Sequence, residues 1–122
     1  MAQTEQQILG HWGEDQAIQF LERHGYTIVT RNFTTDYGEI DIIARINETL
    51  SFIEVKTRRG WTGSAERAVG GNKISRMAAV ARQYCRQQNI NMDQQSIRFE
   101  QLSMYYHNKS HKLTIIRYIL PL

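Results

Sequence analysis

Two apolar runs interrupted by acids constrain what this chain can build: residues 38–43 read GEIDII, residues 52–58 read FIEVKTR, and Asn47 and Glu48 break the chain between them. Short runs rich in β-branched and aromatic residues favour strands, whose side chains alternate between two faces. Glu39 and Asp41 are therefore expected on one face of the first strand, with Ile40 and Ile42 on the other. In the second strand Glu54 and Lys56 share a face, opposite Ile53 and Val55. A two-residue hairpin turn at Asn47-Glu48 sets Asp41 across from Glu54, and Glu39 across from Lys56. Two carboxylates would then face one another.

Like charges directly opposed on a sheet repel, and partial burial strengthens the repulsion, so the pair calls for compensation. A divalent cation supplies it. Magnesium accepts carboxylate oxygens, keeps several waters and takes phosphate oxygens in its remaining positions, while Lys56 is placed to hold or deprotonate an attacking water. The same residues also read as an ion-pair lattice of Glu39, Lys56, Glu54 and Arg45 on a solvated face, and spacing alone leaves both readings open.

With 122 residues, 41% of them apolar, the chain has material for a single core and is expected to be one domain over residues 1–122. It contains no apolar stretch of bilayer-spanning length, and residues 1–7 are polar without a basic region followed by an apolar one, so a cytoplasmic protein with no membrane partner is expected. The single cysteine, Cys85, rules out an internal disulfide and reads as a core filler on a helix. His107 and His111 fall in an expected turn without a third soft ligand nearby, which argues against zinc.

Formal net charge is only +3, but its distribution is uneven. Between residues 56 and 86 lie eight basic residues (Lys56, Arg58, Arg59, Arg67, Lys73, Arg76, Arg82 and Arg86) against one acid, Glu66, which leaves the rest of the chain net negative. Positive charge following directly on the acidic hairpin suits a polyanion whose backbone is gripped by arginines while a phosphate meets a metal site. A solvated helix face is the plainer reading of the same run.

Thr4 with Gln7 three residues on predicts a capped helix ending at Gly25, with Leu9, Trp12, Ala17, Phe20 and Leu21 as its core stripe. Glu14 flanks that stripe, beside Gly10 and Gly13, whose presence inside a helix calls for a packing or functional reason. A strand over 26–32, a turn over 34–37 and the acidic hairpin follow. Residues 59–71 hold four glycines and Trp61, and read as a loop in which Trp61 either stacks on a base or anchors the loop to the core. A second helix is expected over 72–88, with Ile74, Met77, Ala78, Ala81 and Cys85 inward and Lys73, Arg76, Gln83 and Arg86 outward. Strands over 96–106 and 112–120 complete an α/β domain in the order helix, three strands, helix, two strands.

Gly13-Glu14, Ala17, Phe20-Leu21, Gly25-Tyr26, Arg31-Asn32-Phe33, Gly38-Glu39-Ile40-Asp41, residues 52–58 and Lys73 together resemble the YraN-type family of small uncharacterised bacterial proteins, over about Gly10 to Phe99. That family in turn resembles the restriction-endonuclease-like nucleases, above all the archaeal Holliday-junction resolvases, whose core is a mixed β-sheet flanked by helices. The resemblance implies that Asp41 and Glu54 bind Mg2+ or Mn2+, that Lys56 is the catalytic lysine, and that Glu14 is the helix glutamate completing the metal site. It gives Glu39 no catalytic position, and pairing with Lys56 or an arginine is expected for it. In Arg98-Phe99-Glu100 a glutamate stands where the family commonly has an aspartate. The implied activity is a magnesium-dependent endonuclease acting on DNA in preference to RNA, with branched DNA as a candidate substrate and a homodimer as the working unit. Arg58, Arg59, Trp61, Lys73 and Arg76 are the expected nucleic-acid contacts. A binding module of the same fold without chemistry, and an adaptor whose carboxylates only pair with arginines, are the competing readings.

Overall fold

The first helix, α1 (Glu5–Arg23), starts where Thr4 closes a capping box: its Oγ1 accepts from the Gln7 N–H at 3.1 Å, and its own N–H donates to Gln7 Oε1 at 2.9 Å. It stops at Gly25, whose φ of +89° suits a residue without Cβ. The computed structural model describes residues 2–60 and 71–121 of the chain. Trp61, Glu66 and Arg67, on which sequence expectations rested, lie outside the described residues.

After α1 come β1 (Thr27–Thr35), β2 (Gly38–Ile46), β3 (Thr49–Arg59), α2 (Gly71–Gln87), β4 (Ser96–His107) and β5 (Lys112–Leu120). They form a single α/β domain in the expected order, with one five-stranded sheet ordered β1-β2-β3-β4-β5. All neighbours are antiparallel except β3 and β4, which run parallel because α2 carries the chain across the sheet between them. One helix covers each face. Ala17 and Leu21 of α1 pack with Ile42, Ala44, Ile53, Leu102 and Met104, while Met77, Val80, Ala81, Tyr84 and Cys85 of α2 pack with Ile40, Ile43, Phe52 and Phe99. Among the described residues no helix is long and apolar enough to cross a membrane.

The hairpin register follows the two-residue turn, from Ile46 opposite Thr49 to Ile42 opposite Ile53, with Asn47 taking the left-handed φ of +52° that asparagine tolerates. The expected facing pairs Asp41–Glu54 and Glu39–Lys56 do not form. The ladder ends at Ile42–Ile53, and β2 leaves β3 while β3 continues beside β4 as far as Arg59. Nor do Ile40 and Ile42 share a face: Ile42 joins the α1 core and Ile40 the α2 core. The cause lies across the sheet. Arg31 pairs with Ile42 and Phe33 with Ile40, and between them Asn32 has a φ of +51°, which resets the alternation of both strands at the position of Asp41.

Only one of the two helical glycines has a packing reason. A Cβ on Gly13 would lie 2.0 Å from Thr57 Oγ1, so its absence lets α1 approach β3, whereas a Cβ on Gly10 meets nothing within 4 Å.

Candidate active site

Asp41 sits where β2 parts from β3. Without a ladder partner there, its Oδ2 accepts the Val55 backbone N–H at 2.7 Å, a bond that a strand carbonyl would otherwise make. Burial pushes the carboxyl up to about 7, the hydrogen bond from Val55 opposes that rise, and the neighbouring Glu54, Glu14 and Glu39 charges add to it. The acids are therefore assembled around Asp41, although not by the cross-strand pairing expected.

Glu54 and Lys56 share a face of β3, as the alternation requires, opposite Ile53 and Val55 in the α1 core. Both line a cleft of about 430 Å³ with Glu39, Asn72, Lys73 and Arg76. Among the described residues Lys56 has no acidic group within 4 Å, so its ammonium is not committed to a lattice with Glu39 and Glu54. Glu54 pairs instead with Lys73, Oε2 to Nζ at 3.3 Å. This corrects the outward placement of Lys73, which is only 9% exposed. It continues the stripe Met77, Val80, Ala81, Tyr84 by one turn and so meets the sheet.

Glu14 reaches the site from α1. Its Oε1 lies 3.6 Å from Arg31 Nη2, which also holds Asp15 at 3.0 Å. With its amide nitrogen turned toward the acids, Asn32 donates to Glu14 Oε1 at 3.2 Å and to Glu39 Oε1 at 3.0 Å. Glu39 is thus held by Asn32, and among the described residues no lysine or arginine lies within 4 Å of its carboxylate, although it lines the cleft beside Lys56. Among the described residues no three histidine, cysteine or acidic side chains converge closely enough to hold a metal ion by themselves.

Of the expected backbone contacts, Lys73 and Arg76 line this cleft, whereas Arg58 and Arg59 border grooves beside α1. Arg58 and Arg59 are exposed at the end of β3, Arg59 Nη1 lying 4.0 Å from Glu5 Oε2, a surface separation that binds it weakly. Arg59 also borders a groove with Ile8, Leu9 and Trp12, where Trp12 meets Tyr106 edge to face at 5.3 Å. Arg76 is exposed at the cleft rim on α2.

A second charged cluster was missed. Glu100 is fully buried and accepts from Tyr26 Oη at 3.0 and 2.8 Å, from Ser51 Oγ at 2.5 Å and from Arg117 Nε, with Arg98 Nη1 at 3.9 Å. Burial and the bond to Glu100 push the Tyr26 phenol up, and the bond to Glu100 pushes the Arg117 guanidinium up. Glu100 points to the α1 side while its neighbour Gln101 points to Lys73, so this cluster and the acidic cleft occupy opposite faces of the sheet. The available signal was an acid beside Phe99 inside an expected strand.

Residues 13–104 match the model of an uncharacterised protein family, UPF0102, close to the span, about Gly10 to Phe99, of the resemblance to the YraN-type family. A UPF0102 protein of Alkaliphilus oremlandii is 37% identical over 106 residues, covering 86% of this chain and 91% of the relative. One from Desulforapulum autotrophicum is 36% identical over 116 residues, covering 94% of each. Another, from Syntrophomonas wolfei, is 46% identical over 74 residues, which cover 60% of this chain and 64% of that protein.

Proposed function

The chain belongs to the uncharacterised protein family UPF0102, and we propose that it is a metal-dependent nuclease that hydrolyses phosphodiester bonds in nucleic acid. The observation that carries this reading is Asp41, a carboxyl pushed up to about 7 by burial, at a strand divergence beside Glu54 and Glu14, with Lys56 in the adjoining cleft. A mixed sheet covered by a helix on each face, with an acid where two strands part, resembles the restriction-endonuclease-like nucleases.

Asp41 and Glu54 are proposed to hold Mg2+ or Mn2+. The donor set fits: hard oxygens from two protein carboxylates suit a cation that keeps several waters and takes phosphate oxygens, and no third ligand side chain is required of the protein. When bound, the metal polarises the phosphate and lowers the pKa of a coordinated water. Lys56 donates to a non-bridging phosphate oxygen and offsets the negative charge that grows there as the water attacks. Glu14 is proposed as the third acidic group, fixed by Asn32 and Arg31 where its charge reaches Asp41. Arg58, Arg59 and Arg76 are proposed to grip backbone phosphates, and Trp61 to stack on a base. DNA in preference to RNA, branched DNA as substrate, a homodimer cutting symmetric junctions and a cytoplasmic location complete the proposal.

The test is cleavage of a synthetic four-way junction, linear duplex and single strands with added Mg2+ or Mn2+. Metal-dependent cutting lost in Asp41→Ala, Glu54→Ala and Lys56→Ala supports the nuclease. Salt-sensitive binding that ignores all three substitutions, with no cutting by wild type, replaces it by a nucleic-acid-binding module.

A further inference from the structure

Lys73 places a charge on the apolar stripe of α2, where a helix normally meets a sheet with aliphatic side chains. A buried ammonium is costly unless paired and hydrogen-bonded, and Lys73 has both partners: Glu54 Oε2 at 3.3 Å and Gln101 Oε1 at 3.2 Å. The cradle is built from below. Gln101 Nε2 donates to Ser103 Oγ at 3.0 Å on the same buried face of β4, which fixes the amide with its oxygen toward Lys73. Lys73 therefore has an acceptor on β4 besides the acid, and its position does not depend on Glu54 alone.

We infer that Lys73 is a built-in counter-cation for Glu54, so that metal binding at this cleft is coupled to phosphate binding. The inference rests on the proposed metal site. With no metal bound, Lys73 neutralises Glu54 and holds its carboxylate at the cleft wall beside Lys56 and Arg76. A dication at the same carboxylate is repelled by that ammonium at short range, which weakens its binding to the free protein. A nucleic-acid phosphate entering among Lys56, Lys73 and Arg76 brings the negative charge that relieves the repulsion. Lys73 acts through Glu54 and is a positioning residue, not a catalytic one.

Mn2+ affinity measured without nucleic acid, by the spin-resonance signal of the unbound ion, tests this directly in wild type, Lys73→Met, Lys73→Gln and Lys73→Arg. Both neutral variants are expected to bind Mn2+ roughly tenfold more tightly than wild type, because a repelling unit charge is gone, while the arginine variant stays near wild type. A merely structural lysine gives the opposite, since loosening Glu54 weakens a metal site. Neutral variants that bind no tighter than wild type overturn the inference, as does an arginine variant that binds as tightly as the neutral pair. Loss of fold in both neutral variants with the arginine variant folded overturns it too, by making the charge a requirement of the fold. Absence of Mn2+ binding in wild type and folded neutral variants alike removes the metal site itself, a failure distinguishable from that of the coupling.

Discussion

The Asp41 carboxylate accepts the Val55 backbone N–H at 2.7 Å, so a side chain stands in for the strand partner at the point where β2 leaves β3. The same placement buries the carboxyl and pushes it up to about 7 from an ordinary 3.8. Between those values the folded state holds a proton that the unfolded chain has released, so stability falls as pH rises from about 4 through 7. Asp41→Asn keeps an oxygen for Val55 and removes the titration. Its melting temperature should match wild type near pH 4 and exceed it increasingly up to pH 8, as read by thermal melts across pH. A constant difference would show that Asp41 does not titrate in this window.

Metal binding requires the deprotonated carboxylate, so Mn2+ affinity of the wild type should rise steeply between about pH 6 and 8 and flatten above. Titrations at a series of pH values check this; affinity flat from pH 5.5 upward would place the ligand elsewhere.

Gly13 and Gly10 should answer oppositely to alanine. At Gly13 the new Cβ meets Thr57 Oγ1 at 2.0 Å on packed β3, and the overpacking should cost about 1–3 kcal/mol. At Gly10 nothing lies within 4 Å, and relief of glycine's helical cost should stabilise by up to about 1 kcal/mol. Urea unfolding of both variants decides, and Thr57→Gly should recover part of the Gly13→Ala loss.

Much of the fold could be read because it depends on local signals: the Thr4–Gln7 box, the Asn47-Glu48 turn and the period-2 run to Ile53 each act within a few residues. What escaped depends on partners distant in sequence. The divergence at Asp41 coincides with the left-handed Asn32 across the sheet, which lies between the pairs Arg31–Ile42 and Phe33–Ile40. A charge on a helix ordinarily faces water, which is the sequence expectation for Lys73, and only the meeting of α2 with Glu54 and Gln101 reverses that. Glu100 escaped for the same reason, its partners coming from β1's approach, β3 and β5.

That last cluster should matter for stability and not for chemistry. Arg117→Met strips the fully buried Glu100 of its guanidinium partner, at a cost of about 3 kcal/mol or more, and adding Glu100→Gln should return part of it. Denaturant unfolding of the single and double variants measures the coupling. Mn2+ affinity should be unchanged in the folded double variant, because Glu54 lies on the other face of the sheet.

Lys56→Ala tests the central claim most directly, since Lys56 is assigned charge stabilisation and no metal ligation. Folded Lys56→Ala protein, wild type and a mock preparation would be assayed side by side for Mg2+-dependent cleavage of the four-way junction, linear duplex and single strands, with Mn2+ binding measured on the same samples. Wild type should cut at least one substrate, and Lys56→Ala should bind Mn2+ about as well while cutting roughly 100-fold more slowly or worse. Cutting by Lys56→Ala at the wild-type rate, or no cutting of any substrate by wild type, would contradict catalysis at this cleft.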